Sequence, residues 1–178
     1  NDKIIGMSDE LIDQVDENDE IIGSIFKSQA HQNPSLIHRE VAIVVFNKKG
    51  EVLLQQRSMK KMNDPGHWKM TAAGHIGAGE DPEEAIKREV EEELGIKVEP
   101  TYYKKVFEKY RDKEARFFWI YYTVLSKEQP LKLDKEEVMD AKWVKYSGLK
   151  EFSKNNKYLL SSPSHTRITE VAEILDFT

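Results

Sequence analysis

The chain predicts an α/β (α+β) fold, a mixed β-sheet packed between helices, on three observations. Strand-like segments come first, a single amphipathic helix interrupts them, and helical segments come last. At 178 residues, 39% hydrophobic and 33% charged, the chain has the size and composition of one core-forming domain. No repeat, low-complexity tract or linker divides it. The expected organisation is a single domain over 1–178, with residues 1–37 as an N-terminal hairpin and connector and 38–178 as the core.

In chain order, "IDQVDENDEIIGSIF" sets two short apolar runs around the turn-forming cluster Asp16 to Asp19 and predicts a β-hairpin. "KSQAHQNPSLIH" reads as a short helix or loop interrupted at Pro34. In "REVAIVVFNKKGEVLLQQRS" strands at Val41–Phe46 and Glu51–Arg57 flank a turn at Asn47–Gly50. "SMKKMNDPGHWKM" is a polar loop turning at Pro65-Gly66, and "WKMTAAGHI" a short strand leading to a glycine-rich approach. Strands are expected over 97–108 and 115–125, then a charged loop, "KEQPLKLDKEEVMD", and a last strand at 141–144. "SGLKEFSKNNKYLL" and "HTRITEVAEILDF" read as the closing helices.

Composition excludes several chemistries. The net charge of −5 gives no electrostatic case for a nucleic-acid duplex, although a small phosphorylated ligand is accessible with a divalent cation. There are no cysteines, so disulfides, thiolate metal sites and cysteine nucleophiles are absent. No apolar run is long enough for a membrane span, and the start lacks a basic-then-apolar leader. The expectation is a cytoplasmic protein. A symmetric homodimer is the default for a soluble oligomer, without a residue that bears on it.

The informative segment is "GHIGAGEDPEEAIKREVEEELGI", Gly74 to Ile96. Asp81 suits an N-cap, Pro82 the first helical position, Glu84 the reciprocal capping position, and Gly95 the left-handed residue that ends the helix. Ile86, Val90 and Leu94 then share an apolar stripe, and Glu89, Glu92 and Glu93 an adjoining one. Like charges at that spacing repel by about 0.2–0.5 kcal/mol per pair on an exposed helix. A hard divalent cation with oxygen ligands is the physical reason to accept that repulsion. Arg88 is placed to grip Glu80 bidentately. The glycines ahead of the helix promise free backbone N–H groups for an oxyanion.

With those residues in view, the segment resembles the Nudix box of the Nudix hydrolases. Gly74, five residues, Glu80, seven residues, then Arg88-Glu89-Val90-Glu91-Glu92-Glu93-Leu94-Gly95-Ile96 fill every specified position. The resemblance implies a strand-loop-helix catalytic element and hydrolysis of a nucleoside diphosphate linked to another moiety. It assigns Mg²⁺ or Mn²⁺ to Glu89, Glu92, Glu93 and the Gly74 carbonyl, with Arg88 and Glu80 orienting the helix. The general base is Glu89 itself or a loop glutamate, Glu136 or Glu137.

A second resemblance covers most of Val15 to Leu149. "LIHREVAIVVFNKKGEVLLQQRS", "DPGHWKMTAAGH" and "EEVMDAKW" are similar to stretches of isopentenyl-diphosphate isomerases, a Nudix-fold branch that moves a double bond. Their metal sits on three histidines and two glutamates, and a cysteine takes part in proton transfer. His31, His38 and His75 fall at the histidine positions and Glu114 at one glutamate, forming a candidate second site. Arg116 takes the other glutamate position and Ala73 that of the cysteine. An isomerase needs its thiol, so hydrolase outranks isomerase. A non-catalytic nucleotide- or metabolite-binding domain is the alternative of another class, expected to lack box carboxylates. Arg57, Lys69, Arg111 and Arg116 are the cations available to a terminal phosphate, and the strand "RFFWIYY" is expected to be core rather than a stacking wall.

Overall fold

The computed structural model describes residues 9–110, 112–156 and 159–177. Arg111, considered above for phosphate, lies outside them. The elements are β1 (Leu11–Val15), β2 (Ile21–Phe26), α1 (Lys27–Ala30), β3 (His38–Asn47), β4 (Glu51–Arg57), β5 (Trp68–Lys69), β6 (Ala72–His75), α2 (Pro82–Leu94), β7 (Thr101–Tyr110), β8 (Glu114–Leu125), β9 (Val138–Lys145), α3 (Leu149–Asn155) and α4 (Ser162–Ile174).

β3 organises the sheet. Val41 to Phe46 are apolar without alternation and all 0% exposed, the pattern of a strand covered on both faces. One edge of β3 pairs in parallel with β8 from His38↔Arg116 to Asn47↔Leu125. Along its other edge come β1 at His38, β6 at residues 40–43 and β4 at Phe46. β4 leaves β3 after the hairpin turn to pair with β9 and β5. Val41, Ile43 and Val45 pack with α2 through Ile86, Val90 and Leu94. Ala42, Val44 and Phe46 face the other way, onto Leu149, Ile168, Val171 and Ala172 of the closing helices. The mixed sheet between helices is therefore as expected, and "RFFWIYY" is a central strand between β3 and β7.

Several boundaries differ, β3 beginning at His38 rather than Val41. β7 begins at Thr101 rather than 97, because Ile96 and Val98 turn inward as core beneath α2. β9 begins at Val138, since β4 offers it a ladder down to Arg57. Of the closing helices, α3 is shorter than its sequence pattern, and α4 begins at Ser162, ahead of the expected start at His165.

The N-terminal hairpin forms as expected. Asp16 Oδ1 accepts from the N–H groups of Asn18 (2.8 Å) and Glu20 (2.9 Å), closing the turn. Asp19, at φ 66°, points inward to Arg39 Nε (2.6 Å) and Lys105 Nζ (2.7 Å). The hairpin is thereby fastened to β3 and β7.

α2 starts and stops on the residues expected. Asp81 accepts from the Glu83 and Glu84 N–H groups and Pro82 opens the helix. Glu84 does not reach back to Asp81. Its carboxylate pairs with Lys87 at 3.1 Å. Gly95 caps the helix at φ 70°, and a Cβ there would stand 2.7 Å from Lys132 Cβ and 3.0 Å from its carbonyl oxygen. Gly95→Ala is expected to cost at least about 1–2 kcal/mol for the left-handed backbone alone. Urea unfolding checks this, the midpoint falling at unchanged slope.

Candidate active site

β6 and α2 build the site together. Gly74 lies where α2 crosses the strand, and a Cβ at that position would stand 2.0 Å from Glu89 Cδ and 2.2–2.3 Å from its carboxylate oxygens. The missing side chain is what lets the Glu89 carboxylate rest on the strand backbone. Arg88 binds Glu80 bidentately, Nε to Oε1 at 2.8 Å and Nη2 to Oε2 at 2.9 Å. Its Nη2 also donates to the His75 carbonyl at 3.1 Å, tying the helix to β6. Its Nη1 bridges Glu89 Oε1 (2.8 Å) and Glu92 Oε2 (3.2 Å). The Arg88 hydrogen bond holds the Glu80 carboxyl below its usual range.

The three helix carboxylates differ sharply in environment. Glu92 has a side chain 60% exposed. Glu89 is largely covered, and burial pushes its carboxyl up although Arg88 pulls the other way. Glu93 is 7% exposed, and burial with the nearby Glu89 charge pushes it well up. Its Oε2 accepts from Gln55 Nε2 of β4 at 2.8 Å, a partner the sequence reading missed. Of the two loop glutamates, Glu137 is near enough to act on Glu93, though held by Lys61 at 2.7 Å. Glu136 points out to solvent and pairs with Lys60.

Carboxylate oxygens are donors that suit a hard cation, but Glu89, Glu92 and Glu93 do not bring three ligand atoms within 4.8 Å of one another. Glu93 is buried and the largely covered Glu89 lies near it, and burial disfavours the charged form of both. Mg²⁺ keeps several waters, so its protein ligands need not converge as tightly as a closed cage.

The glycine loop does not present free amides to an oxyanion. Gly77 N donates to Glu80 Oε2 (2.8 Å), Ala78 N to Leu11 O (3.0 Å), Gly79 N to Asp13 Oδ1 (3.1 Å) and Glu80 N to Gly77 O (2.9 Å). The first amides of α2 are taken by Asp81. The hairpin occupies the place that the glycines promised to a phosphate.

The histidines do converge. His31, His38, His75 and Glu40 place one ligand atom each within 4.8 Å of one another, the single such group of three or more among the described residues. His31 Nε2 and His75 Nε2 are 2.8 Å apart, so one ring donates to the other. Burial holds both rings below the usual histidine range. Glu40 comes within 3.4 Å of His38 and 3.5 Å of His75. Glu114, expected as the carboxylate here, stands 3.9 Å from His31 Nε2 and also shares Arg116 with Glu40, the guanidinium Nη1 donating to Glu114 at 3.1 Å and to Glu40 at 3.0 Å. Against burial, which raises it, the Glu40 carboxyl is held low by His75 and Arg116. Glu40 was missed, although His38 and Glu40 two apart on one strand share a face. Gly74 and His75 are consecutive, so the two groups meet on β6. Among the other cations, Arg57 Nε is spent on the Asn63 carbonyl (2.7 Å), and burial then Arg57 lower Lys69.

The chain is similar to known proteins by sequence and by fold. The NUDIX domain family matches residues 36–162. Isopentenyl-diphosphate Delta-isomerase 1 of Photorhabdus laumondii is 33% identical over 147 residues, 80% of this chain and 84% of that protein. An uncharacterized Nudix hydrolase of Listeria monocytogenes is 30% identical over 147 residues, 83% of this chain and 86% of that one. The Streptomyces avermitilis isomerase is 43% identical over 86 residues, and there the match spans 48% of this chain and 44% of the relative. Among solved structures, a Deinococcus radiodurans protein superposes with a TM-score of 0.71 at 19% identity, covering 90% of this chain and 98% of that one. The NUDIX domain of Shewanella oneidensis NrtR, solved with ADP ribose, gives 0.64 at 21% identity, covering 77% and 87%. Among the described residues no helix is long and apolar enough to cross a membrane.

Proposed function

Because the chain belongs to the Nudix family of hydrolases, we propose that it is a cytoplasmic pyrophosphohydrolase that cleaves a nucleoside diphosphate linked to another moiety. The observation that carries this reading is the grip of Arg88 on Glu80, Glu89 and Glu92, which orients the carboxylate face of α2 over Gly74. Glu89, Glu92, Glu93 and the Gly74 carbonyl would hold Mg²⁺ or Mn²⁺. Bound there, the cation supplies neutralisation of the diphosphate and acidification of a coordinated water. Glu89, its carboxyl raised by burial, takes the proton of the attacking water as general base. Glu137 is the second candidate for that role, and its exposed neighbour Glu136 is the weaker one. Arg88 and Glu80 touch no reacting atom and act by orientation.

Isomerisation is disfavoured by the site itself. The chain has no thiol, Ala73 stands at the cysteine position, and Arg116 fills the space between Glu40 and Glu114. The convergence of His31, His38, His75 and Glu40 supports a second reading for that group alone, a transition-metal site with Glu114 behind it.

The test is phosphate release by purified protein with Mg²⁺ or Mn²⁺, over nucleoside di- and triphosphates, ADP-ribose, nucleotide sugars, coenzyme A and isopentenyl diphosphate. Pyrophosphatase and phosphatase in separate coupled assays identify the bond broken. Metal-dependent turnover, reduced at least about 100-fold by Glu92→Gln, is the expected result. Silence over the panel, with ligand-induced thermal shifts, would replace the hydrolase by a binding domain, and isomerised isopentenyl diphosphate would replace it by an isomerase.

A further inference from the structure

We propose that the N-terminal hairpin is a positioning clamp for the catalytic loop, with Asp13 as its positioning residue. The hairpin precedes the residues matched to the family, 36–162, so its role is not part of that match. The inference rests on the reading that Glu89 and its neighbours hold the cation.

The loop 77–80 connects β6 to α2 and carries Glu80. Two of its four amides are bound by β1, Ala78 N by Leu11 O at 3.0 Å and Gly79 N by Asp13 Oδ1 at 3.1 Å. Ile12 also forms a bridge with Gly77. The remaining contacts lead straight to the metal-binding face. Gly77 N holds Glu80 Oε2 at 2.8 Å, Glu80 holds Arg88 at 2.8 and 2.9 Å, and Arg88 holds Glu89 at 2.8 Å. Asp13 is thus joined to the Glu89 carboxylate through one loop and two side chains.

The residue type argues the same way. Asp13 is 3% exposed, and its Oδ2 is buried with no hydrogen-bond partner among the described residues. A carboxylate in that setting is costly, and a strand needing only to fill space would take an apolar residue. The oxygen that is used meets Gly79, the loop glycine held in the left-handed region at φ 74°. The far end of the hairpin is anchored independently, by Asp19 between Arg39 and Lys105, so Asp13 is presented from a fixed element. Ile12, Ile25 and Ala30 give the hairpin a small core of its own.

The experiment compares wild type with Asp13→Ala and Asp13→Asn. It reads Mn²⁺ affinity by electron paramagnetic resonance, amide exchange at residues 77–79, kcat and KM, and the melting temperature. Asp13→Ala is expected to weaken Mn²⁺ binding and lower kcat by about tenfold, as loss of an orienting partner does, with KM little changed. The Gly79 amide should exchange faster while the middle of α2 stays protected. Asp13→Asn, whose amide oxygen still accepts from Gly79, should recover most of the affinity. Wild-type affinity in Asp13→Ala overturns the proposal. So does a loss shared by Asp13→Asn and matched by a fall in melting temperature, which would make Asp13 merely structural. If wild type binds Mn²⁺ without turning over any substrate, the hydrolase reading falls while the affinity and exchange comparison still decides the clamp. A wild type that binds no Mn²⁺ overturns both.

Discussion

Glu93→Gln is expected to lower metal-dependent turnover by at least about 100-fold and, in the metal-free protein, to raise the melting temperature. Glu93 is 7% exposed, accepts one hydrogen bond from Gln55 and lies beside the Glu89 charge, so its ionised form is poorly compensated without a cation. Burial raises its folded pKa above the unfolded value near 4.5. A carboxyl shifted in that direction contributes its full stability below the unfolded pKa and loses it as pH rises through the folded one. The metal-free wild type should therefore gain stability on acidification across that window, and the glutamine variant should gain less. Each kcal/mol relieved at neutral pH is worth about 2–4 °C at this chain length. Saturating Mn²⁺ should reverse the order, because ligand binding to the folded state stabilises wild type more. Thermal melts at several pH values, with chelator and with Mn²⁺, read both halves. A metal-free variant that melts lower would mark Glu93 as a structural hydrogen-bond partner instead of a ligand.

The parts of this site legible in the sequence are those set by local rules. Asp81, Pro82 and Gly95 fix α2 through capping and backbone preference, and the spacing of three and four places its carboxylates on one face. Once the helix is known, the pairing of Arg88 with Glu80 follows from reach. What was not legible depends on register between distant strands. Glu40 joins the histidines because it stands opposite His75 in the β3–β6 pairing, thirty-odd residues away in the chain. The glycine loop looked open to phosphate because the sequence could not show β1 lying against it, an arrangement fixed by the Ile12↔Gly77 bridge. Glu136 and Glu137 look equivalent as neighbours in a charged loop. Only the docking of that loop on α2, with Asp134 N on Glu93 O at 3.0 Å, turns one toward the site and the other away. The short reach of β7 has the same origin, since only tertiary packing decides that Ile96 and Val98 belong to the core under α2.

Gly74→Ala is expected to separate function from folding, lowering turnover by about 100-fold with little change in melting temperature. The backbone of Gly74 is ordinary strand, so alanine meets no conformational penalty there. The obstacle is the Glu89 carboxylate, whose Cδ would be 2.0 Å from the new methyl. That group is the free end of a flexible side chain and can swing away at small cost to the fold. In moving, it leaves the strand, the Gly74 carbonyl and the position that Arg88 Nη1 holds at 2.8 Å. The ligand set is then broken by a methyl group that removes no ligand. Glu89→Gln removes the charge but leaves the approach intact, so the two variants lose activity by different routes. Titration with Mn²⁺ tells them apart: excess metal should recover part of the Gly74→Ala activity, since all the carboxylates remain, and little of that of Glu89→Gln. Unimpaired Gly74→Ala activity would mean that the close seat of Glu89 on β6 is packing alone, and that the cation is held by Glu92 and Glu93 without the strand.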